Sequence, residues 1–232
     1  MNGEGNDPRA GERAGEPTSE RAGERAGERA HERAGDLEAG EFGAWFGEIS
    51  GAIRGTNDAD VPCGSCNSCC KSSQFIHIEP DEHATLKRIP KRLLVAAPGL
   101  AKGNVLMGYD ERGHCPMLKN DACSIYEYRP RTCRAYDCRV FAASGVSLDD
   151  DDKPLIDAQV ARWRFAYASD TDRALHLAVQ AAAEYLNVHR DELGDAVPRN
   201  PTQLAALAIE IHELFMNGAR PNAEVVRVGF SR

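Results

Sequence analysis

The 232-residue chain lacks several features that would each have pointed to a familiar class of protein. Aromatic residues make up only 6% of it, and no stretch approaches the roughly 18 apolar residues that a membrane-spanning helix needs. Basic residues are not in excess, because 36 Asp and Glu outnumber 28 Lys and Arg and give a formal charge of −8. A general nucleic-acid-binding protein needs a basic face, so we expect neither a nucleic acid nor a membrane as a partner.

The first 35 residues contain no Leu, Ile, Val or aromatic side chain. They repeat the unit Ala-Gly-Glu-Arg, for example at positions 22–25 and 26–29, and they have too little apolar surface to offset chain entropy. We therefore predict a disordered tail over residues 1–35. Because a secretory signal peptide requires an apolar block that this segment lacks, we expect the protein to be cytoplasmic.

Cysteine is absent before residue 63 and after residue 138, although the chain has eight cysteines. Buried cysteines that serve only as small apolar residues would be scattered along the whole chain. Disulfide bonds need an oxidising compartment, and the sequence shows no route to one. The confinement therefore indicates thiolate ligands of a metal. The candidate ligands are Cys63, Cys66, Cys69, Cys70, Cys115, Cys123, Cys133 and Cys138.

Half of these cysteines form one run, Cys63-x2-Cys66-x2-Cys69-Cys70. Two intervening residues let the chain curl so that successive sulfurs point to one centre, and the intervening Gly, Ser and Asn are small and turn-prone. Residues 63–139 also contain twelve Lys or Arg and eight Asp or Glu, an excess that would balance anionic sulfurs. Arg129 and Arg134 could donate hydrogen bonds to sulfurs or to nearby carbonyl groups, and simple surface charge is the alternative.

The residue types do not decide which metal is bound. Zinc takes four ligands, so eight thiolates could form two closed sites or one site with spare thiols. An iron–sulfur cluster also takes four thiolates, and a compact run plus the remote Cys115-Pro116 is part of the pattern in bacterial ferredoxins. We predict a metal-binding protein, and the alternative is an iron–sulfur enzyme or an electron-transfer protein. The sequence assigns no catalytic residue.

The companions of the cysteines complete a recognisable pattern. After the first run come Cys115-Pro-Met-Leu, Cys123-Ser-Ile-Tyr, Tyr128-Arg-Pro and Thr132-Cys-Arg-Ala-Tyr-Asp-Cys138. This pattern resembles the bacterial cysteine-cluster family of zinc- or iron-chelating domains, often called YkgJ-like. The resemblance implies that all eight cysteines are metal ligands, and it implies no established reaction. Some relatives are described as flagellin lysine N-methylases, but this sequence has no glycine-rich loop after a strand to hold a methyl donor.

Apolar periodicity predicts an α+β fold that is mostly helical, with short antiparallel strands in a small cysteine-rich core. Residues 36–62 should form a leading helix, because Phe42, Trp45, Ile49 and Ile53 recur at helical spacing.

The cysteine core is expected over residues 63–139 and a helical region over 140–232. In the core we predict a strand at 74–78, a helix that begins at Pro80, and a hairpin whose strands are 104–109 and 115–118. In the helical region we predict one helix capped by Asp170 and one that starts at Asn200-Pro201.

Overall fold

The computed structural model describes residues 35–59, 61, 65–148 and 153–229. The repeat tail up to residue 34 and Cys63 lie outside these residues, so the predictions made for them stay sequence predictions. All the elements given below belong to the compact unit Leu37–Arg232.

Helices and short strands alternate along this unit, and the predicted α+β fold is confirmed. In chain order the elements are β1 Leu37–Glu41, α1 Phe42–Ile53, β2 Ile76–Ile78, α2 His83–Leu86, β3 Leu94–Ala96, β4 Val105–Met107, β5 Leu118–Lys119, β6 Ala122–Cys123, α3 Arg131–Ala135, α4 Arg139–Ser144, α5 Pro154–Val160, β7 Trp163–Ala166, α6 Asp170–Val188, α7 Arg190–Leu193, α8 Pro201–Ile211 and α9 Ala223–Gly229.

The larger apolar core lies among α1, α4, α6 and α8. Of the described residues within 36–62, predicted as a leading helix, only Phe42–Ile53 form one, because Leu37–Glu41 pair as strand β1. Within α1, Phe42, Trp45 and Ile49 are buried as the spacing predicts. From α6 the core receives a stripe that includes Ala178, Val179, Ala182 and Leu186, at the spacing that places side chains on one helix face.

No helix among the described residues is both long enough and apolar enough to cross a membrane.

The first residues of two helices test the sequence predictions, one of which is confirmed and one of which is wrong. Helix α8 starts at Asn200-Pro201 as predicted, and the side-chain oxygen of Asn200 caps it by accepting a hydrogen bond from Gln203 N at 3.1 Å. The prediction that Asp170 caps α6 is wrong. The cap is Ser169, whose hydroxyl oxygen accepts from Asp172 N at 3.2 Å, while Asp170 is the first helical residue.

A parallel strand pair interrupts the region predicted to be helical, residues 140–232. β7 pairs with β1, with Leu37 opposite Trp163 and Glu41 opposite Ala166. Its residues alternate between buried Trp163 and exposed Arg164, which is the period-two pattern of a half-buried strand. The pair joins the start of the unit to the helical region and brings Trp163 next to the cysteines.

The predicted hairpin between residues 104–109 and 115–118 is also wrong. β4 is the central strand of a three-stranded antiparallel sheet, in which Met107 lies opposite both Ile76 and Leu94. The turn itself exists, since Asp110 N donates to His114 O at 2.8 Å. Pro116 has no N–H to donate to a strand ladder, which helps to explain why the segment after the turn does not pair with β4.

The segment that follows forms its own hairpin from β5 and β6, and the helix predicted from Pro80 is the short α2, which begins at His83.

Candidate metal centre

The seven described cysteines line one cavity of about 380 Å³. They come from the first cysteine run, the loop before β5, strand β6, helix α3 and the loop between α3 and α4, so the fold gathers them from separate parts of the sequence. The seven residues are Cys66, Cys69, Cys70, Cys115, Cys123, Cys133 and Cys138.

Disulfide bonds do not explain this gathering. No disulfide joins any two of the seven described cysteines. Six of the seven cysteine residues are partly buried. Cys69 is exposed as a whole residue, but a hydrogen bond with Cys70 and the burial of its sulfur both raise the pKa of the thiol. The arrangement is chemically suited to a soft metal, because thiolates are the ligands that zinc and iron–sulfur clusters take.

The first cysteine run is fixed to the loop before β5 by backbone hydrogen bonds and to the β5–β6 turn by an ion pair. Cys115 N donates to Cys70 O at 2.7 Å, and Ser73 N donates to Gly113 O at 2.9 Å. Farther along, Lys71 Nζ lies 2.7 Å from Asp121 Oδ1. These contacts hold two cysteine-bearing stretches side by side at one end of the cavity.

The β5–β6 hairpin places Cys123 opposite Leu118. Its two-residue turn, Asn120 and Asp121, has positive φ at both positions, 51° and 59°. Such a turn matches the right-handed twist of paired strands, and Asn and Asp tolerate the left-handed conformation better than most residues. Sequence reasoning missed this hairpin, although the Asn-Asp pair between two short apolar segments was a usable signal.

Cys133 lies within α3, and residues that do not line the cavity hold this helix in place. Thr132 Oγ1 donates to His77 O at 2.7 Å, and Arg131 N donates to Glu82 Oε2 at 2.6 Å. Glu82 is buried, so this bond fixes the start of α3 against the loop before α2.

Cys138 is held from the helical core. Its sulfur accepts a hydrogen bond from the indole Nε1 of Trp163 at 3.2 Å. Next to it, the buried carboxylate of Asp137 accepts from Trp45 Nε1 at 2.8 Å and pairs with the Arg139 guanidinium at 2.8 Å. Sequence reasoning did not link Trp163 to Cys138, because nothing in the local sequence of either residue indicates a partner so far along the chain.

The thiols lie close enough to influence one another. Burial, together with the nearby thiols of Cys69 and Cys115, raises the pKa of Cys133 to about 12. A hydrogen bond with Cys70 raises the pKa of Cys69, and burial adds to it. Burial also raises the pKa of Cys115. Cys69, Cys115 and Cys133 are therefore neutral thiols near pH 7, and each must lose a proton to bind a metal.

The sulfurs border the cavity without forming a closed coordination sphere. Among the residues that the structure describes, no three Cys, His, Asp or Glu side chains are grouped tightly enough to hold one ion. The predicted ligand set accordingly stays a prediction for all eight cysteines, and Cys63 lies in the part of the chain left undescribed.

Two buried guanidinium nitrogens bear on whether the cavity suits thiolate-bound metal. Arg129 Nε and Arg134 Nε are buried and have no hydrogen-bond partner among the described residues, and both arginines line the cavity. Arg134 Nε does lie 3.2 Å from Asp58 Oδ2, without the alignment of a hydrogen bond. Unsatisfied cationic donors next to thiols fit a centre whose sulfurs become negative on binding.

Comparison with known proteins matches part of the chain to a family model. Residues 62–154 match the family model CxxCxxCC, whose description is "Putative zinc- or iron-chelating domain". The matched range contains all eight cysteines, and the predicted resemblance to a family of zinc- or iron-chelating domains is confirmed over these residues. The search of curated proteins finds no match, and neither does the search of solved structures.

Proposed function

Since residues 62–154 match the CxxCxxCC family model of zinc- or iron-chelating domains, we propose that the chain uses its eight cysteine thiolates to hold zinc or an iron–sulfur cluster. One observation carries the proposal: seven cysteines from separate stretches of the chain line a single cavity of about 380 Å³. A fold with no use for a shared centre would have no reason to bring these thiols to one wall.

The described lining residues support a sulfur-only donor set. They include no histidine, and their one carboxylate, Asp121, already pairs with Lys71. Sulfur ligands favour zinc or iron–sulfur over the hard cations magnesium and calcium, which take oxygen ligands. When bound, zinc would cross-link the four stretches, and an iron–sulfur cluster would in addition accept or give an electron.

The test is elemental analysis of the full chain purified without oxygen, paired with its visible spectrum. Zinc without colour supports a zinc centre, and iron with sulfide and a broad visible absorption supports a cluster. Cys66→Ser and Cys133→Ser should lower metal content and soluble yield together, because binding free energy contributes to folding.

A matched control for the two cysteine variants is Ser65→Ala, which changes an exposed residue beside Cys66 and removes no predicted ligand. This variant should keep the metal content of the wild type. A wild-type chain that folds cooperatively without zinc or iron, and takes up neither when they are supplied, would overturn the proposal.

The second candidate is an iron–sulfur enzyme or an electron-transfer protein, and the size of the cavity supports the enzyme. About 380 Å³ lies within the range of roughly 300–1,000 Å³ that small-molecule sites occupy. Apolar side chains such as Met107, Met117 and Ile125 also line it. Reversible bleaching of a visible absorption by a reductant would support this candidate, and bound zinc with no redox response would reject it.

A further inference from the structure

Arg129 is held in the cavity wall by its neighbours on both sides. It follows the 3₁₀ turn Tyr126–Tyr128 and precedes Pro130, which favours the extended backbone seen at Arg129 (φ −55°, ψ 143°). Pro130 is among the fully buried residues. The guanidinium carbon of Arg129 lies 3.9 Å from the centre of the Tyr126 ring, so the ring holds the flat face of the cation.

Although its neighbours fix the position of Arg129, its Nε–H donates no hydrogen bond within the described residues. Nε is buried and has no acceptor among the described residues. None of the ion pairs found in the described part of the chain involves Arg129 either. Buried donors are almost always satisfied in folded proteins, so an N–H of this kind calls for an acceptor that the cavity supplies under some condition.

Sulfur is the acceptor that the cavity offers. The one described carboxylate in its wall, Asp121, is occupied by Lys71 and by Asn67 Nδ2, which donates to it at 3.4 Å. The charge of Arg129 is close enough to Cys133 to lower the pKa of that thiol, against the larger opposing effect of burial. A neutral thiol is a weak acceptor, whereas a thiolate is a strong one.

We propose that Arg129 is a positioning residue of the centre, whose buried Nε–H donates a hydrogen bond to a cysteine sulfur once that sulfur binds metal as a thiolate. The cation would also offset part of the negative charge that four thiolates bring to one ion. This inference rests on the proposed metal-binding function. Arg134 serves this role less well, because its Nε already lies beside a carboxylate.

The experiment measures zinc affinity of the full chain by competition with a chromophoric chelator. Cobalt(II) in place of zinc then reports on the sulfurs through its thiolate charge-transfer absorption. Arg129→Gln should lower zinc affinity about 10- to 100-fold, the range found when outer-shell partners of metal ligands are removed. Its cobalt charge-transfer band should move to longer wavelength, because a thiolate that loses a hydrogen bond gives up its electron more easily.

Arg131→Gln is the matched control. It removes the same charge two residues away, but Arg131 pairs with Glu79 and Asp81 outside the cavity wall. This variant should keep the affinity and the cobalt spectrum of the wild type. Arg129→Lys is the second test variant: it keeps a cation but loses the planar N–H donor, and we expect it to show the same spectral shift.

The outcomes separate the two proposals. A folded Arg129 variant with the affinity and cobalt spectrum of the wild type overturns the role of Arg129 and leaves metal binding intact. If Arg129→Gln does not fold, Arg129→Lys decides by the same two measurements. A wild-type chain that binds neither zinc nor cobalt overturns the proposed function itself.

Discussion

The indole nitrogen of Trp163 donates a hydrogen bond to the sulfur of Cys138 across 3.2 Å. Trp163 lies on β7, beyond the residues that match the chelating family, and its strand pairs with β1 at the start of the unit. The bond therefore ties the cysteine cavity to the larger apolar core. A hydrogen bond to a ligand sulfur orients that sulfur and spreads its charge, so the helical region contributes to the candidate centre.

The first prediction concerns this bond. Trp163→Phe removes the N–H and keeps most of the ring, so it should lower zinc affinity about tenfold, as loss of an outer-shell partner does. Competition with a chromophoric chelator measures the change. Trp45→Phe is the control, since Trp45 is the other tryptophan, is buried, and donates to Asp137 rather than to sulfur.

The same two variants give an optical check, because each leaves a single tryptophan. Zinc should change the fluorescence of the Trp45→Phe chain, which retains Trp163 beside Cys138, far more than that of the Trp163→Phe chain. Equal fluorescence changes, or equal zinc affinities in both variants, would show that the Trp163–Cys138 bond has no part in metal binding.

The second prediction concerns the buried pair next to Cys138. The side chains of Asp137 and Arg139 are 1% and 6% exposed, and Asp137 Oδ2 lies 2.8 Å from Arg139 Nη2. Asp137→Asn keeps the shape but removes the carboxylate that faces the buried cation. Removing one member of a buried ion pair costs about 3–5 kcal/mol, so the free energy of unfolding should fall by about that amount. Urea unfolding followed by circular dichroism measures it.

A comparison with an exposed pair controls for the loss of charge alone. Asp121→Asn removes the partner of Lys71 at the surface, where screening by solvent leaves little stabilisation. Its urea midpoint should stay close to that of the wild type. If the two variants were equally stable, the buried pair would not be what secures the start of α4.

The third prediction tests the hairpin that carries Cys123. Asn120 has φ 51°, a left-handed conformation that costs residues with a side chain roughly 1–2 kcal/mol and is tolerated best by Gly, Asn and Asp. Asn120→Ala should therefore lower the free energy of unfolding by about 1 kcal/mol. Asn120→Gly should match or exceed the wild type, and urea unfolding distinguishes the two. An alanine variant as stable as the glycine variant would be inconsistent with the left-handed turn.

Local patterns predicted the parts of the fold that local forces determine. The face of α1 followed from apolar residues at helical spacing, and Trp45 and Ile49 are buried there as expected. The candidate ligands followed from the confinement of cysteine to one segment, and the seven that are described do share a cavity. In both cases the signal lies in residue types and in spacing along the chain.

Long-range pairing left no comparable signal. β1 contains one glycine with positive φ, Gly40, and only two apolar side chains, Leu37 and Ala39. Its sequence therefore does not stand out as a strand. Its partner β7 lies far along the chain, and parallel pairing needs such a distant segment. The Trp163–Cys138 bond depends on that pairing, which is why it could not be read from the sequence.

The last prediction concerns pH. Burial and neighbouring thiols raise the pKa of Cys133 to about 12, whereas the unfolded chain should titrate near 8.5. The folded metal-free protein therefore holds this proton more tightly, and the stability that results is fully present below about pH 8.5 and is lost as pH rises towards 12. With a chelator present, the urea midpoint should decrease as the pH is raised from about 8 to about 10, and Cys133→Ala should weaken that decrease.

Metal affinity should change in the opposite direction and rise with pH, because binding releases protons from the thiols. A chelated wild type whose midpoint rises over this range would contradict the buried, neutral state of Cys133.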